Sequence, residues 1–395
     1  MYIIGATGHR EEGYMKFVKT REIKTGMRLA RPIYNKNGVL LYERNSKVTE
    51  QAISSIENFG LLGIYILEPA EPVPPMSQED LEFERFQTMM SFSLEEELKR
   101  IKQTGRAAKI QTIASMIIKN YANLNKKITF HQNLRSRENY TYRHSLNVAI
   151  LCALITRVMN IKVDEQLTTI TAALIHDMGK LDVVDDIADC DDLDDAGYRR
   201  LNMFEKDAYS TIHQALPNGV DVRRICEQSH TILEAYRVGD INTDLSKFSI
   251  GAKILAVAGK YDSLTAMQLD KEPESEIKAF HYMLAEDHFF DPSVVNALLA
   301  SINVLFPGVC VVLNNGEKGV VIKENRADIF RPLILCFDNN KVLDLSDDNV
   351  SNNIWINDVM KTLDNRYIFD TDTLVECGYL KPEEAYESAD IFEIL

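Results

Sequence analysis

Leu167-Thr168-Thr169-Ile170-Thr171-Ala172-Ala173-Leu174-Ile175-His176-Asp177-Met178-Gly179-Lys180 is an apolar helical pattern that ends in an imidazole, a carboxylate, a glycine and a lysine. An imidazole and a carboxylate side by side at the end of a buried helix can both reach one divalent cation. Gly179 lets the backbone turn tightly, and Lys180 adds a positive charge near where an anionic substrate oxygen would sit. Taken alone, the His-Asp pair also reads as a C-terminal helix cap favoured by the macrodipole. The rest of the chain decides between the two.

The 395 residues suffice for two or three domains, and 45% hydrophobic with 26% charged residues is ordinary for a globular protein. No run of about 18 apolar residues is present, so no membrane span is expected. Met1 to Arg10 lack the apolar core and small-residue cleavage site of a signal peptide. Six widely spaced cysteines without a Cys-x-x-Cys pair point to reduced thiols and a cytoplasmic location. A net charge of −15 argues against a nucleic acid polymer as partner. A small anionic ligand then needs a local cationic site.

The N-terminal residues 15–68 read as a small α+β module. Val18 to Ile23, Thr25 to Ile33 and Val39 to Tyr42 have strand character, with Asn37-Gly38 as a hairpin turn. Thr49 to Phe59 reads as an amphipathic helix closed by Gly60, and Ile64 to Leu67 returns as a strand. The glycine-containing stretch Gly5-Ala6-Thr7-Gly8 is not followed by a helix, so a nucleotide-binding turn is not expected there. Residues 69–76 form a proline-rich linker. From 77 to 305 the pattern is helical, with its core over about 131–305. Phe83, Phe86, Met90 and Leu94 make a stripe suited to packing, and helices over 78–124 offer a route to a homodimer. A second helix is expected from about Ala107 to Leu124. Residues 306–360 alternate and turn like a small β-barrel, and 361–395 are an acidic tail.

Chemistry-bearing residues concentrate in the helical part. His144 opens the helix continuing through Leu146 to Leu154, in a first turn where the dipole disfavours a cation and a neutral imidazole is available to bind metal. His176 and Asp177 follow, then His213 and His230 at intervals of 37 and 17. Any one of these histidines reads as an ordinary core or surface residue. Four of the eight in one block, with an aspartate, read as a metal site. Asp182 to Asp195 hold eight aspartates in fourteen residues; without the glycine and closing glutamate of an EF-hand they read as a solvated acidic insertion.

Arg143-His144-Ser145-Leu146-Asn147-Val148, the His176-Asp177-Met178-Gly179-Lys180 turn, His213, and Ala252 to Ala258 followed by Tyr261-Asp262-Ser263-Leu264-Thr265 resemble the HD-GYP branch of the HD metal-dependent phosphohydrolase superfamily. Phe290 to Val295 resembles the final helix of those domains, and Phe306 to Val321 their C-terminal β extension. Gly26 to Pro32 resembles a module often attached at their N-terminus, so the resemblance covers most of residues 17–340. It implies a mainly α fold: a helical HD-type domain flanked by the N-terminal α+β module and the β extension. It also implies a bacterial signalling enzyme, a phosphodiesterase hydrolysing cyclic di-GMP with bound iron or manganese. Carried over by position, His144, His176 and Asp177 would face one metal. Asp177 would bridge to a second ion held by His213 and His230, and Lys180 would lie at a phosphate. Asp177 and Lys180 would be the catalytic residues.

The departures are as specific. Where the family has two histidines and a glutamate, this chain reads Gln228-Ser229-His230-Thr231; the glycine-rich loop with its tyrosine and proline is replaced by Ala235 to Asn242; a metal-binding aspartate is Gly259. Asp262, one turn further, falls at a position that is also an aspartate in the family and does not count as a replacement. One or two ions, held less tightly, are the expectation. Two readings follow: an impaired phosphodiesterase, or a pseudoenzyme that binds cyclic di-GMP or a protein partner without hydrolysis.

Overall fold

A computed structural model describes residues 14–34, 39–44, 46–68, 78–183, 193–268, 272–337 and 341–359. Met1 to Arg10, the Asn37-Gly38 turn, the linker 69–76, most of the acidic insertion and the tail 361–395 lie outside the described residues.

In the N-terminal module, β1 (Tyr14–Lys19) and β2 (Arg28–Leu29) flank β5 (Gly63–Glu68) in an antiparallel sheet, while β3 (Ile33–Tyr34) and β4 (Leu40–Tyr42) pair with each other. The strand expected over Val18 to Ile23 stops at Lys19, where a 3-10 turn, Thr20–Glu22, takes over. The long strand expected over Thr25 to Ile33 is reduced to β2 and β3, because Gly26 at φ +94 turns the chain just before β2. Helix α1 (Glu50–Asn58) has the expected cap: Ala52 N donates to Thr49 Oγ1. Its Ala52 and Ile56 close on Leu29, Ile64 and Ile66.

The helical domain contains α2 (Gln78–Thr104), α3 (Ile110–Ile117), α4 (Tyr140–Val158), α5 (Val163–Ile175), α6 (Asp195–Ala215), α7 (Val220–Val238), α8 (Ile250–Thr265), α9 (Glu276–Ala285) and α10 (Pro292–Leu299). The helix expected to Leu124 loses regular α form after α3 and continues as a π turn, Ile118–Ala122. Every residue of α4 from Tyr140 to Thr156 is buried. A helix covered on all sides is the centre of its domain, and α2, α5 and α8 pack around this one. Phe83, Met90 and Leu94 are buried in the same core, and Phe86 packs edge-on to Tyr121. The stripe is thus used internally; on the outward faces of α2 and α3 only Met89 and Met116 are exposed large apolar residues.

The C-terminal extension is an antiparallel sheet of five strands, β6 (Cys310–Leu313), β7 (Lys318–Lys323), β8 (Leu333–Cys336), β9 (Val342–Asp344) and β10 (Ile356–Val359), in the order β10-β6-β7-β8-β9, with α11 (Asp348–Ser351) before its last strand. Val311, Leu313, Val321 and Ile334 join the helical core, so the sheet is seated on the domain. Cys152, Cys226, Cys310 and Cys336 are buried. Among the described residues no helix is long and apolar enough to cross a membrane.

Candidate metal centre

Helix α4 begins at Tyr140, which puts His144 one turn in rather than in the first turn. Helix α5 ends with His176 as its C-cap, and Asp177 leads into a 3-10 turn, Met178–Asp182. These two elements bring His144, His176 and Asp177 together: one ligand atom from each lies within 4.8 Å of the others. The imidazole rings are 5.3 Å apart, centroid to centroid.

Partners on the far side of each ring set its tautomer. His144 Nδ1 lies 2.6 Å from Asp262 Oδ2, and His176 Nδ1 lies 2.8 Å from the Ala173 carbonyl oxygen. Both partners are acceptors, so each Nδ1 carries the proton and each Nε2 presents a lone pair. Those lone pairs face Asp177: His144 Nε2 is 3.4 Å from Oδ2, and His176 Nε2 is 3.3 Å from Oδ1. Three acceptors thus converge, an arrangement that repels itself unless a cation sits among them. Asp177 Oδ2 has no directed hydrogen bond, although Lys180 Nζ stands 2.9 Å away. The donor set, two imidazoles and a carboxylate each with an outer partner, fits a transition metal.

Burial holds His176 below its ordinary value despite the neighbouring Asp177, which keeps it neutral near pH 7. For Asp177, burial opposes ionisation, but His176, Lys180 and His144 outweigh it and hold the carboxyl well below the usual carboxylate range. Lys180 is disfavoured by burial as well, yet Asp177 and Glu205 raise it further above its usual value.

Gly179 has a purpose that sequence reading assigned differently. A Cβ there would lie 2.4 Å from Glu205 Cα and 2.4 Å from the Phe204 carbonyl oxygen, so the glycine admits the backbone of α6. That close approach delivers Glu205, whose Oε1 is 4.0 Å from Lys180 Nζ and whose Oε2 is 2.8 Å from His230 Nδ1. His230 Nε2 lies 3.1 Å from Asn202 Oδ1. His230 is therefore tied to the Lys180 side of the site, with both ring nitrogens engaged, and does not join the converging trio. His213 does not join it either: it is exposed, in the last turn of α6, where a helix C-terminus suits an imidazole.

Asp262, which the sequence placed at a family aspartate without a role of its own, stands behind His144. It is fully buried, and its carboxylate accepts from Arg135 Nη2 at 2.6 and 2.8 Å and from Asn147 Nδ2 at 3.1 Å in addition to His144. Burial works against its charge, but Arg135 and His144 prevail and hold it far below the ordinary range. Gly259 lies three residues earlier on α8, buried, and a Cβ there would meet nothing within 4 Å. The position that the resemblance assigns to a carboxylate thus has space for a side chain. The Ala235 to Asn242 segment is not an extended loop: α7 runs to Val238 and closes on Gly239 at φ +68.

Residues 141–264 match the family model described as HD domain. The cyclic di-GMP phosphodiesterase PA4108 of Pseudomonas aeruginosa is 24% identical over 207 residues, which are 52% of this chain and 49% of that protein. The chain thus spans about half the length of that curated relative. A solved structure, Bd1817, a HDG"Y"P protein from Bdellovibrio bacteriovorus, superposes with a TM-score of 0.43 and 11% identity over 72% of this chain and 97% of that one. The helical region of this chain thus carries an HD domain over residues 141–264.

Proposed function

We propose that this chain is a cytoplasmic signalling protein with a metal-dependent phosphohydrolase site of the cyclic di-GMP phosphodiesterase type, impaired in hydrolysis. The observation that carries the reading is the convergence of His144 Nε2, His176 Nε2 and the Asp177 carboxylate within 4.8 Å. A bound divalent transition metal, iron or manganese by the resemblance, supplies Lewis acidity and a lowered pKa for coordinated water. The chain's own part is to orient two imidazoles, through Asp262 and the Ala173 carbonyl, and to keep Asp177 ionised. Lys180 brings a fixed positive charge beside Asp177, suited to a phosphate oxygen.

The surroundings favour one ion over two. The Lys180 ammonium lies between Asp177 and Glu205, where it already balances the charge that a second ion would share. His213 points away and His230 is engaged by Glu205 and Asn202. Gly259 supplies no ligand, while Ser229 and Thr231 stand where the family has metal or acid residues. The name of the Pseudomonas relative supports cyclic di-GMP as the substrate class.

A pseudoenzyme that binds cyclic di-GMP or a protein partner is the second reading, favoured specifically by the empty space at Gly259. Chromatographic analysis of cyclic di-GMP incubated with the protein and manganese separates the two. The impaired-enzyme reading expects linear product at least about a hundredfold below an ordinary turnover of about 10 per second, since one lost contributor to charge stabilisation costs about 3 kcal/mol. Ordinary turnover contradicts the impairment. No product, with the metal bound, leaves the pseudoenzyme.

A further inference from the structure

A cavity of about 380 Å³ lies between the N-terminal module and the start of α4, walled by Arg31, Ile33 and Leu61 on one side and by Thr88, Phe92 and Arg143 on the other. Arg143 is 6% exposed, and its Nε has no hydrogen-bond partner. Among the described residues nothing offers its guanidinium an ion pair within 4 Å. Of the charges near it, Arg31 donates to the Gln132 carbonyl oxygen and faces Glu84 at 4.0 Å, and Glu95 accepts from Lys99 Nζ at 2.6 Å. A guanidinium stays a cation at neutral pH. A buried, unpaired guanidinium is costly, and the cavity beside it has room for a counter-anion with an organic body.

The first turn of α4 adds to this. Its N-cap Asn139 gives no side-chain cap, and Ser136, Glu138 and Asn139 line the same cavity. Backbone N–H groups at a helix start favour an anion. Against that, Glu84, Glu95 and Glu138 also line the wall, so a multiply charged group is repelled where a single negative charge is accepted. Ile33, Leu61, Leu134 and Phe92 supply apolar surface for the body.

We propose that this cavity is a ligand site distinct from the metal centre, taking a small organic monoanion whose carboxylate pairs with Arg143 and whose apolar body fills the space toward Thr88 and Leu61. The reading does not depend on hydrolysis or on metal. Its wall reaches the metal centre by hydrogen bonds: Gln132 Oε1 accepts from Asn147 Nδ2 at 2.9 Å, and Asn147 donates to Asp262, the partner of His144.

Benzoate and inorganic phosphate, each titrated calorimetrically into the full chain, test it. The account expects benzoate to bind, and phosphate to bind about tenfold more weakly or not at all. Arg143→Met is expected to lower benzoate affinity by about tenfold or more, the loss of a charge-assisted pair, and to melt no lower than the parent, because it removes an unpaired charge. Thr88→Phe, which fills the cavity and keeps Arg143, should lose benzoate as well, whereas His176→Ala should keep it. The proposal is overturned if benzoate does not bind, if phosphate binds more tightly, if either cavity variant binds benzoate like the parent, if His176→Ala abolishes binding, or if Arg143→Met unfolds.

Discussion

His144 Nδ1 and Asp262 Oδ2 are 2.6 Å apart across 118 positions of sequence, and this contact fixes which nitrogen of His144 faces Asp177. Asp262 therefore stands behind the candidate metal site without joining it, as an orienting carboxylate behind His144. Asp262→Asn leaves a group of the same shape but a weaker acceptor, and should lower metal affinity by about 10- to 100-fold. Competition with a chromophoric chelator measures it. Unchanged affinity would mean that His144 is not a ligand through Nε2.

The same aspartate makes a pH prediction. Its folded-state pKa lies below the ordinary value of about 3.9. A depressed carboxylate stabilises the fold above its unfolded value, and the contribution is lost as pH falls from there toward the folded pKa. Stability should therefore drop steeply below about pH 4. In Asp262→Asn the drop should be shallower, although the variant is less stable at neutral pH because Arg135 loses its buried counter-charge. Denaturant melts at a series of pH values read both effects; parallel slopes for parent and variant would contradict the assignment.

Gly179→Ala should destabilise the chain by about 1–3 kcal/mol, the usual range for forced overpacking. The added methyl meets the Phe204 and Glu205 backbone, which cannot swing aside as a side chain can. It should also push Glu205 from Lys180. Thermal denaturation checks the first effect, and a shift of less than about 1 °C would show that α6 yields easily.

Gly259→Asp has space for its side chain, since nothing lies within 4 Å of the Cβ position. A carboxylate on the Asp262 face of α8 should raise metal occupancy, and replacing a mid-helix glycine offsets part of any strain by up to about 1 kcal/mol. Occupancy measured by elemental analysis should rise in the variant. Unchanged occupancy would show that residue 259 does not face the metal centre.

Much of the architecture was legible in the sequence because its signals are local. Thr49 caps α1 and Gly60 follows its end, and the apolar run of α5 ends at His176. Strand limits in the N-terminal module were less so, since Lys19 and Gly26 end strands through turn geometry that the apolar pattern does not show. In the site, His176 and Asp177 are adjacent in sequence, and His144 stands at the head of an apolar helix, so all three could be singled out. Glu205 and Asn202 could not, and Asp262 was named but not given its place behind His144: their partners are 25, 28 and 118 positions away, and only the packing of α6, α7 and α8 on α4 and α5 brings them in. His213 was named from type and spacing, but one step of helical phase decides whether a residue faces in or out, and in α6 it faces solvent.

The central claim is that His144, His176 and Asp177 hold a divalent transition metal. Its most direct test is elemental analysis of full-length protein purified without a chelating tag, beside the His176→Ala variant. The account predicts about one equivalent of iron, manganese or zinc per chain in the parent, and a large loss in the variant, because two remaining donors fall below the three protein ligands of a catalytic metal site. No metal in the parent even after loading with iron(II) or manganese(II), or equal metal in His176→Ala, would contradict it.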